Sequence, residues 1–156
     1  MAQIGQWKSE TAEDAYMRAY ASLSTLWTIP STEFDVETSY GTTHVRKCGS
    51  GEGTPLVLIP PLNGNGACWH PIIERLAAER TVYALDTIGA AGLSVQTAPI
   101  TGGADYGKWL DETLAALDLP HAHVMGYSDG AWRAFMAGVN GSERLARPCA
   151  ATDSDL

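Results

Sequence analysis

The sequence predicts an α/β domain built on a mainly parallel sheet with helices on both faces. Three observations carry that expectation. Short strand-like runs recur at Leu56–Ile59, Thr81–Leu85 and His121–Met125. Stretches with apolar residues at three- and four-residue steps separate them. A hairpin pattern lies in front. Strands that alternate with helices pair side by side in one direction, through right-handed crossovers.

The elements follow in order. Ala12, Ala15, Tyr16, Ala19, Leu23, Leu26 and Trp27 mark one face of a first helix, with capping-box spacing at Thr11 and Asp14 and a stop at Pro30. Phe34–Thr38 and Thr42–Arg46 read as two strands joined at Tyr40-Gly41, and Gly49–Gly53 as a flexible turn. Leu56–Ile59 is wholly apolar, as in a strand buried on both faces. A Gly/Pro/Asn loop covers Pro60–Gly66, and a helix is expected from Pro71, which suits a first turn, to Arg80. The strand Thr81–Leu85 ends at Asp86, and a Gly/Ala-rich loop spans Thr87–Gly103. Trp109, Leu110, Thr113, Leu114 and Leu117 mark another helix. His121–Met125 is the third strand. Ala131, Trp132, Phe135, Met136 and Val139 mark the helix after it, stopped at Asn140-Gly141. The expected organisation is an N-terminal helix over residues 1–30, an α/β unit over 31–147 and an irregular tail over 148–156.

Composition narrows the function. The 156 residues carry 18 acidic and 10 basic side chains, a net charge of −8. A nucleic-acid binder needs a basic face to displace counterions, and anionic lipid needs the same, so neither partner is expected. No apolar run reaches the ~18 residues of a membrane span, and the first residues lack the basic-then-apolar texture of a secretion signal. Cys48, Cys68 and Cys149 are scattered, with no spacing that would hold zinc. Reduced thiols in a cytoplasmic protein are the expectation, with no metal.

The chemistry is carried by Gly126-Tyr127-Ser128-Asp129-Gly130, which lies where a strand runs into a helix. Gly-x-Ser-x-Gly in that setting is a nucleophile elbow. The turn is so tight that side chains two before and two after the serine would collide. The helix start directs N–H groups at the same point, favouring developing negative charge. The competing reading is a glycine-rich turn whose serine merely caps the helix. A second part fits the first: Pro60-Pro61-Leu62-Asn63-Gly64, after the Leu56–Ile59 strand, lies where such a turn draws one oxyanion donor. Backbone N–H groups of Leu62 and Asp129 are the expected donors.

These residues resemble the α/β-hydrolases, and within them bacterial carboxylesterase-like members with an N-terminal helix. The resemblance rests on Pro55–Leu62, Trp69, Tyr83–Gly89 with Ser94, Tyr106–Trp109 and Gly126–Gly130, and runs from the first helix to about Arg147. It departs where Pro60-Pro61 replaces the family's His-Gly. It implies an α/β-hydrolase fold, truncated after the nucleophile helix, a small-molecule ester substrate, hydrolysis of esters or related acyl bonds, and no cofactor.

Elbow hydrolases place the acid and histidine after the serine. Here His44, His70, His121 and His123 all precede Ser128, and the later acids are Glu143, Asp153 and Asp155. The chain therefore reads as the first half of a hydrolase, holding nucleophile and oxyanion loop without the base. His70 is the one earlier histidine on the right sheet edge, although its plain reading is a helix-start residue. Asp86 reads as a carboxylate that organises loops. Two other expectations stand beside this one. The chain is a non-catalytic truncated or frame-shifted product, or a half that pairs with another chain or with itself through an open sheet edge. Alternatively, Gly64-Asn65-Gly66 with Asp86 20 residues on forms a Rossmann-like nucleotide site.

Overall fold

The structure, a computed structural model, describes residues 4, 5 and 7–151; of residues 147–151 it describes the backbone alone. The order of elements is helix α1 (Glu10–Ser24), strands β1 (Ser31–Thr38) and β2 (Gly41–Ile59), a 3-10 turn (Gly66–Trp69), helix α2 (Ile73–Leu76), strands β3 (Arg80–Leu85) and β4 (Val95–Gln96), helix α3 (Gly103–Ala116), strand β5 (Ala122–Tyr127), helix α4 (Asp129–Val139) and strand β6 (Leu145–Ala151).

Strand β2 doubles back on itself. Its first arm runs against β3, Val45 opposite Leu85 and Cys48 opposite Val82; its second arm runs alongside β3, Leu56 opposite Val82 and Leu58 opposite Ala84. The reversal falls at Gly49–Gly53. There Gly49 takes a φ of +73°, and a Cβ on Gly51 would stand 2.1 Å from the Glu79 carbonyl. The expected turn is thus present, but it is pinned against the start of β3 and counted into the strand. β5 then pairs in parallel with the second arm, Leu56 with His123 through Ile59 with Gly126, and β6 pairs in parallel with β5. The three expected buried strands are parallel neighbours, and Leu56–Ile59 lies between the other two.

Both faces are covered, because alternate side chains of buried strands point to opposite sides. Val57, Ile59, Leu85 and Val124 pack with Trp109, Leu110 and Leu114 of α3 and Ala134 and Ala137 of α4. Leu56, Leu58, Val82 and Ala84 pack with Trp69, Ile73 and Ala77 on the other face. Burying one such side chain is worth about 1.5–3 kcal/mol. Trp109 also donates its indole N–H to the Thr43 hydroxyl, 2.8 Å away and wholly buried. Thr43→Val leaves that donor without a partner. It is expected to cost about 1–3 kcal/mol, read as a lower urea midpoint with an unchanged slope.

Three boundaries differ from expectation. The cap of α1 is Ser9, whose hydroxyl accepts from the Ala12 N–H; the Thr11–Asp14 box lies inside the helix, and Pro30 precedes β1. The helix expected over Pro71–Arg80 is reduced to one short turn at Ile73–Leu76, which follows a 3-10 turn at Gly66–Trp69. Pro71 has no N–H to continue the preceding turn. The tail is not irregular from 148: residues 148–151 continue β6, held by pairing with β5. Backbone pairing needs no apolar alternation, so Arg147-Pro148 hid the strand. The rest of the expected tail, 152–156, lies outside the described residues.

Candidate active site

β2 and β5 end side by side, with Ile59 opposite Gly126. The loop after Ile59 and the turn after Tyr127 therefore leave the sheet at one edge. Ser128 sits at that turn with φ 53° and ψ −116°, one of three non-glycine residues with positive φ among those described. A serine avoids that region unless its surroundings hold it there. The surroundings are the glycines. A Cβ on Gly126 would stand 2.2 Å from the Gly130 carbonyl carbon, and one on Gly130 would stand 2.3 Å from the Ile59 oxygen. The second of these shows that α4 begins directly against the start of the Pro60 loop. Ser128 is exposed, and its hydroxyl makes no cap bond to α4. That removes the reading of Ser128 as a mere helix cap.

The loop itself closes as a turn. The Gly64 N–H donates to the Pro61 carbonyl at 2.9 Å, and Asn63 takes φ 60°. Leu62 stands at its tip, 63% exposed. Among the described residues, neither the Leu62 N–H nor the Asp129 N–H donates to another backbone group. An oxyanion requires two such donors aimed at one point.

Asp86 anchors the loop from behind. Its carboxylate is buried and accepts from the Gly66 N–H at 2.6 Å and the Leu93 N–H at 2.8 Å. Burial pushes its pKa up, against the opposing pull of those two bonds. The loop-organising reading of Asp86 therefore holds. The nucleotide-site reading does not, since this carboxylate is already spent inside the fold.

Among the described residues, no histidine is hydrogen-bonded to Ser128. His70 ends the 3-10 turn. His121 and His123 stand at the start of β5, roughly 16 Å of strand or more before the serine at ~3.3 Å per residue. His44 is three strands across the sheet, about 14 Å at ~4.8 Å per strand. It is engaged there: its Nδ1 lies 2.7 Å from Asp35 and its Nε2 3.4 Å from Glu33, which also pairs with Arg46. Sequence reasoning missed this cluster. The hairpin register carries its signal, because Asp35 is directly opposite His44 and Glu33 opposite Arg46.

A second missed group stands beside Ser128. Arg133, 4% exposed, binds the Asp129 carboxylate at 2.6 Å and lies over the Tyr106 ring at 4.6 Å. The Asp-x-x-x-Arg spacing at the start of α4 is the sequence signal. The pair fixes the side chain of the residue that follows Ser128. Among the described residues, no group of three or more His, Cys, Asp and Glu is placed to hold a metal ion. No helix among them is long and apolar enough to cross a membrane.

No family model matches the chain. Relatives do. Carboxylesterase YbfK of Bacillus subtilis is 31% identical over 115 residues, which is 74% of this chain and 39% of the relative. The pimeloyl-[acyl-carrier protein] methyl ester esterase of Aeromonas hydrophila is 33% identical over 96 residues, 61% of this chain and 36% of the relative. Among solved structures, the naproxen esterase of Bacillus subtilis superposes with a TM-score of 0.83 at 26% identity, over 90% of this chain and 49% of that one. The crystal structure of the YbfK enzyme gives 0.81 at 29% identity, over 84% and 46%. The chain thus spans about two fifths of the length of the curated relatives it matches.

Proposed function

We propose that this chain, which belongs to the α/β-hydrolase superfamily, is the nucleophile-bearing part of a serine hydrolase that acts on carboxylic esters or related acyl bonds. The observation that carries the reading is Ser128 at φ 53° and ψ −116°, uncapped and exposed between two glycines whose neighbours leave no room for a Cβ. The names of the two relatives given above, a carboxylesterase and a methyl ester esterase, support the same reaction class. Ser128 attacks the ester carbonyl, and the N–H groups of Leu62 and Asp129 receive the charge that develops on its oxygen.

The proton of Ser128 needs a base. Among the described residues no imidazole or carboxylate is hydrogen-bonded to the hydroxyl, and without a base it stays protonated and weakly nucleophilic. Acylation is slow for that reason. Release of the acyl group by water is slow for the same reason, since it needs the same base.

This gives a test on the chain alone. Incubation with excess p-nitrophenyl acetate is expected to acetylate Ser128 slowly, and to a greater extent than the other exposed serines, such as Ser22. Steady turnover is expected to be no higher than that of Ser128→Ala. Peptide mass spectrometry reads the first and p-nitrophenol release the second. Equal acetylation of Ser128 and Ser22 would falsify the elbow assignment. Rapid turnover lost in Ser128→Ala would instead reveal a base within this chain, with His70 the first residue to replace.

A further inference from the structure

A groove of about 770 Å³ lies between the start of the chain with α1 and the loop after β3. Cavities that take small molecules run from about 300 to 1,000 Å³. Trp7 and Met17 line it on one side and Leu93 and Val95 on the other, together with the exposed Glu10 and Glu13. No residue beyond Gln96 lines it, and β3 is separated from β6 by the second arm of β2 and by β5. The loop leaves the same sheet edge as the Ser128 turn, but two strands away, roughly 10 Å at ~4.8 Å per strand. The groove is thus distinct from the site around Ser128.

Its lining selects the occupant. Trp7 and Met17 are each 43% exposed, and apolar side chains grouped in a concavity mark a ligand surface. The Trp7 ring is held by Tyr16, with centroids 5.1 Å apart. The charge in the groove has one sign. Glu10 and Glu13 line it and no Lys, Arg or His does; Lys8 and Arg18, the nearest along the chain, stand outside it. Among the described residues, neither carboxylate pairs with a cation. The first turn of a helix favours acids. That accounts for their place on α1, but not for the tryptophan and methionine beside them. An indole ring and two carboxylates attract the same thing, an organic cation. A bare metal ion would be surrounded by oxygen, not by an indole and a thioether.

We propose that this groove binds a small organic cation, an ammonium group on an apolar body. The ammonium lies among Glu10, Glu13 and the Trp7 ring, and the body packs against Met17, Leu93 and Val95. Binding does not depend on the esterase reading above.

The probe is phenylbutylammonium, set against phenylbutanol, which has the same body without the charge, and phenylbutyrate, which reverses it. Each is titrated into the full chain at neutral pH. Nuclear magnetic resonance follows the indole N–H signal of Trp7, identified by its loss in Trp7→Phe. The ammonium is expected to shift that signal saturably and to bind about tenfold more tightly than the alcohol, at a factor of about three for each exposed carboxylate. Glu10→Gln combined with Glu13→Gln should remove that tenfold advantage and leave the alcohol unchanged. Glu37→Gln, on β1, should change neither. Absence of a saturable shift overturns the proposal. So does equal affinity for ammonium and alcohol, since the groove then takes any apolar body. Tighter binding of phenylbutyrate, or full affinity for the ammonium in the doubly substituted chain, overturns it as well. A Trp7 signal that moves with protein concentration alone also overturns it, and makes the occupant a second copy of this chain.

Discussion

Gly130→Ala is expected to unfold this chain more readily than almost any other loss or gain of a single methyl group. A Cβ at that position would stand 2.3 Å from the Ile59 oxygen and 2.6 Å from the Pro60 oxygen. Both are backbone atoms, so no side chain can rotate away. Relief requires α4 to move off the ends of β2 and β5. Overpacking of this kind costs about 3 kcal/mol. The gain from a less flexible unfolded chain, about 0.4–1 kcal/mol, offsets only part of it. For a chain of this size, a net loss of about 2 kcal/mol lowers Tm by roughly 4–8 °C, measurable by circular dichroism. Gly138→Ala is the matching control. It lies on the same helix with its nearest neighbour, a Leu145 methyl, at an ordinary 3.8 Å, and replaces glycine by a better helix former. Its Tm should hold or rise. Equal losses in both variants would show that the elbow glycines serve helix propensity rather than close approach.

The same contrast explains how much of the molecule was legible in its sequence. The buried strands were, because a strand covered on both faces must be apolar throughout, and Leu56–Ile59 has no other comfortable place. The tight turn at Ser128 was, because its close contacts admit only glycine at two fixed offsets from that serine. Strand β6 was not. Its pairing is made by backbone atoms, which any sequence supplies, and Arg147-Pro148 hides it. The short turn at Ile73–Leu76 was overextended because apolar periodicity continues through Ile72, Ile73 and Leu76 whether or not the backbone stays helical. The Asp35–His44–Glu33 cluster was invisible along the chain for a related reason. Its members meet only across a hairpin, and a one-residue slip in register would have sent them to the other face.

Asp86→Ala is the second change expected to have a large effect. Asp86 ties the start of the 3-10 turn, just past the Leu62 loop, to the loop after β3, through the N–H groups of Gly66 and Leu93. Gly92, at φ +150°, lies against it so closely that a Cβ there would be 2.6 Å from the Asp86 Cβ. Removing the carboxylate leaves two N–H groups without their acceptor, at about 1–3 kcal/mol each where water cannot replace it. A loss of about 3 kcal/mol in urea unfolding is expected. Asp86→Asn should lose less: one oxygen still accepts from Gly66, while its amide faces the Leu93 N–H donor to donor. The Asn variant also isolates the titration. Burial raises the carboxyl pKa in the fold above its ordinary 3.8, so the folded chain holds this proton more tightly than the unfolded one. The stability this contributes is fully present below 3.8 and is lost as pH rises through the raised value. Asn does not titrate. The stability of the wild type minus that of Asp86→Asn should therefore fall as pH climbs from 3.8 through the raised value, then level off. Other acidic groups titrate in both proteins and cancel in the difference. A difference that grows with pH would mean that the N–H groups of Gly66 and Leu93 outweigh burial, and that Asp86 ionises more readily inside the fold than outside it.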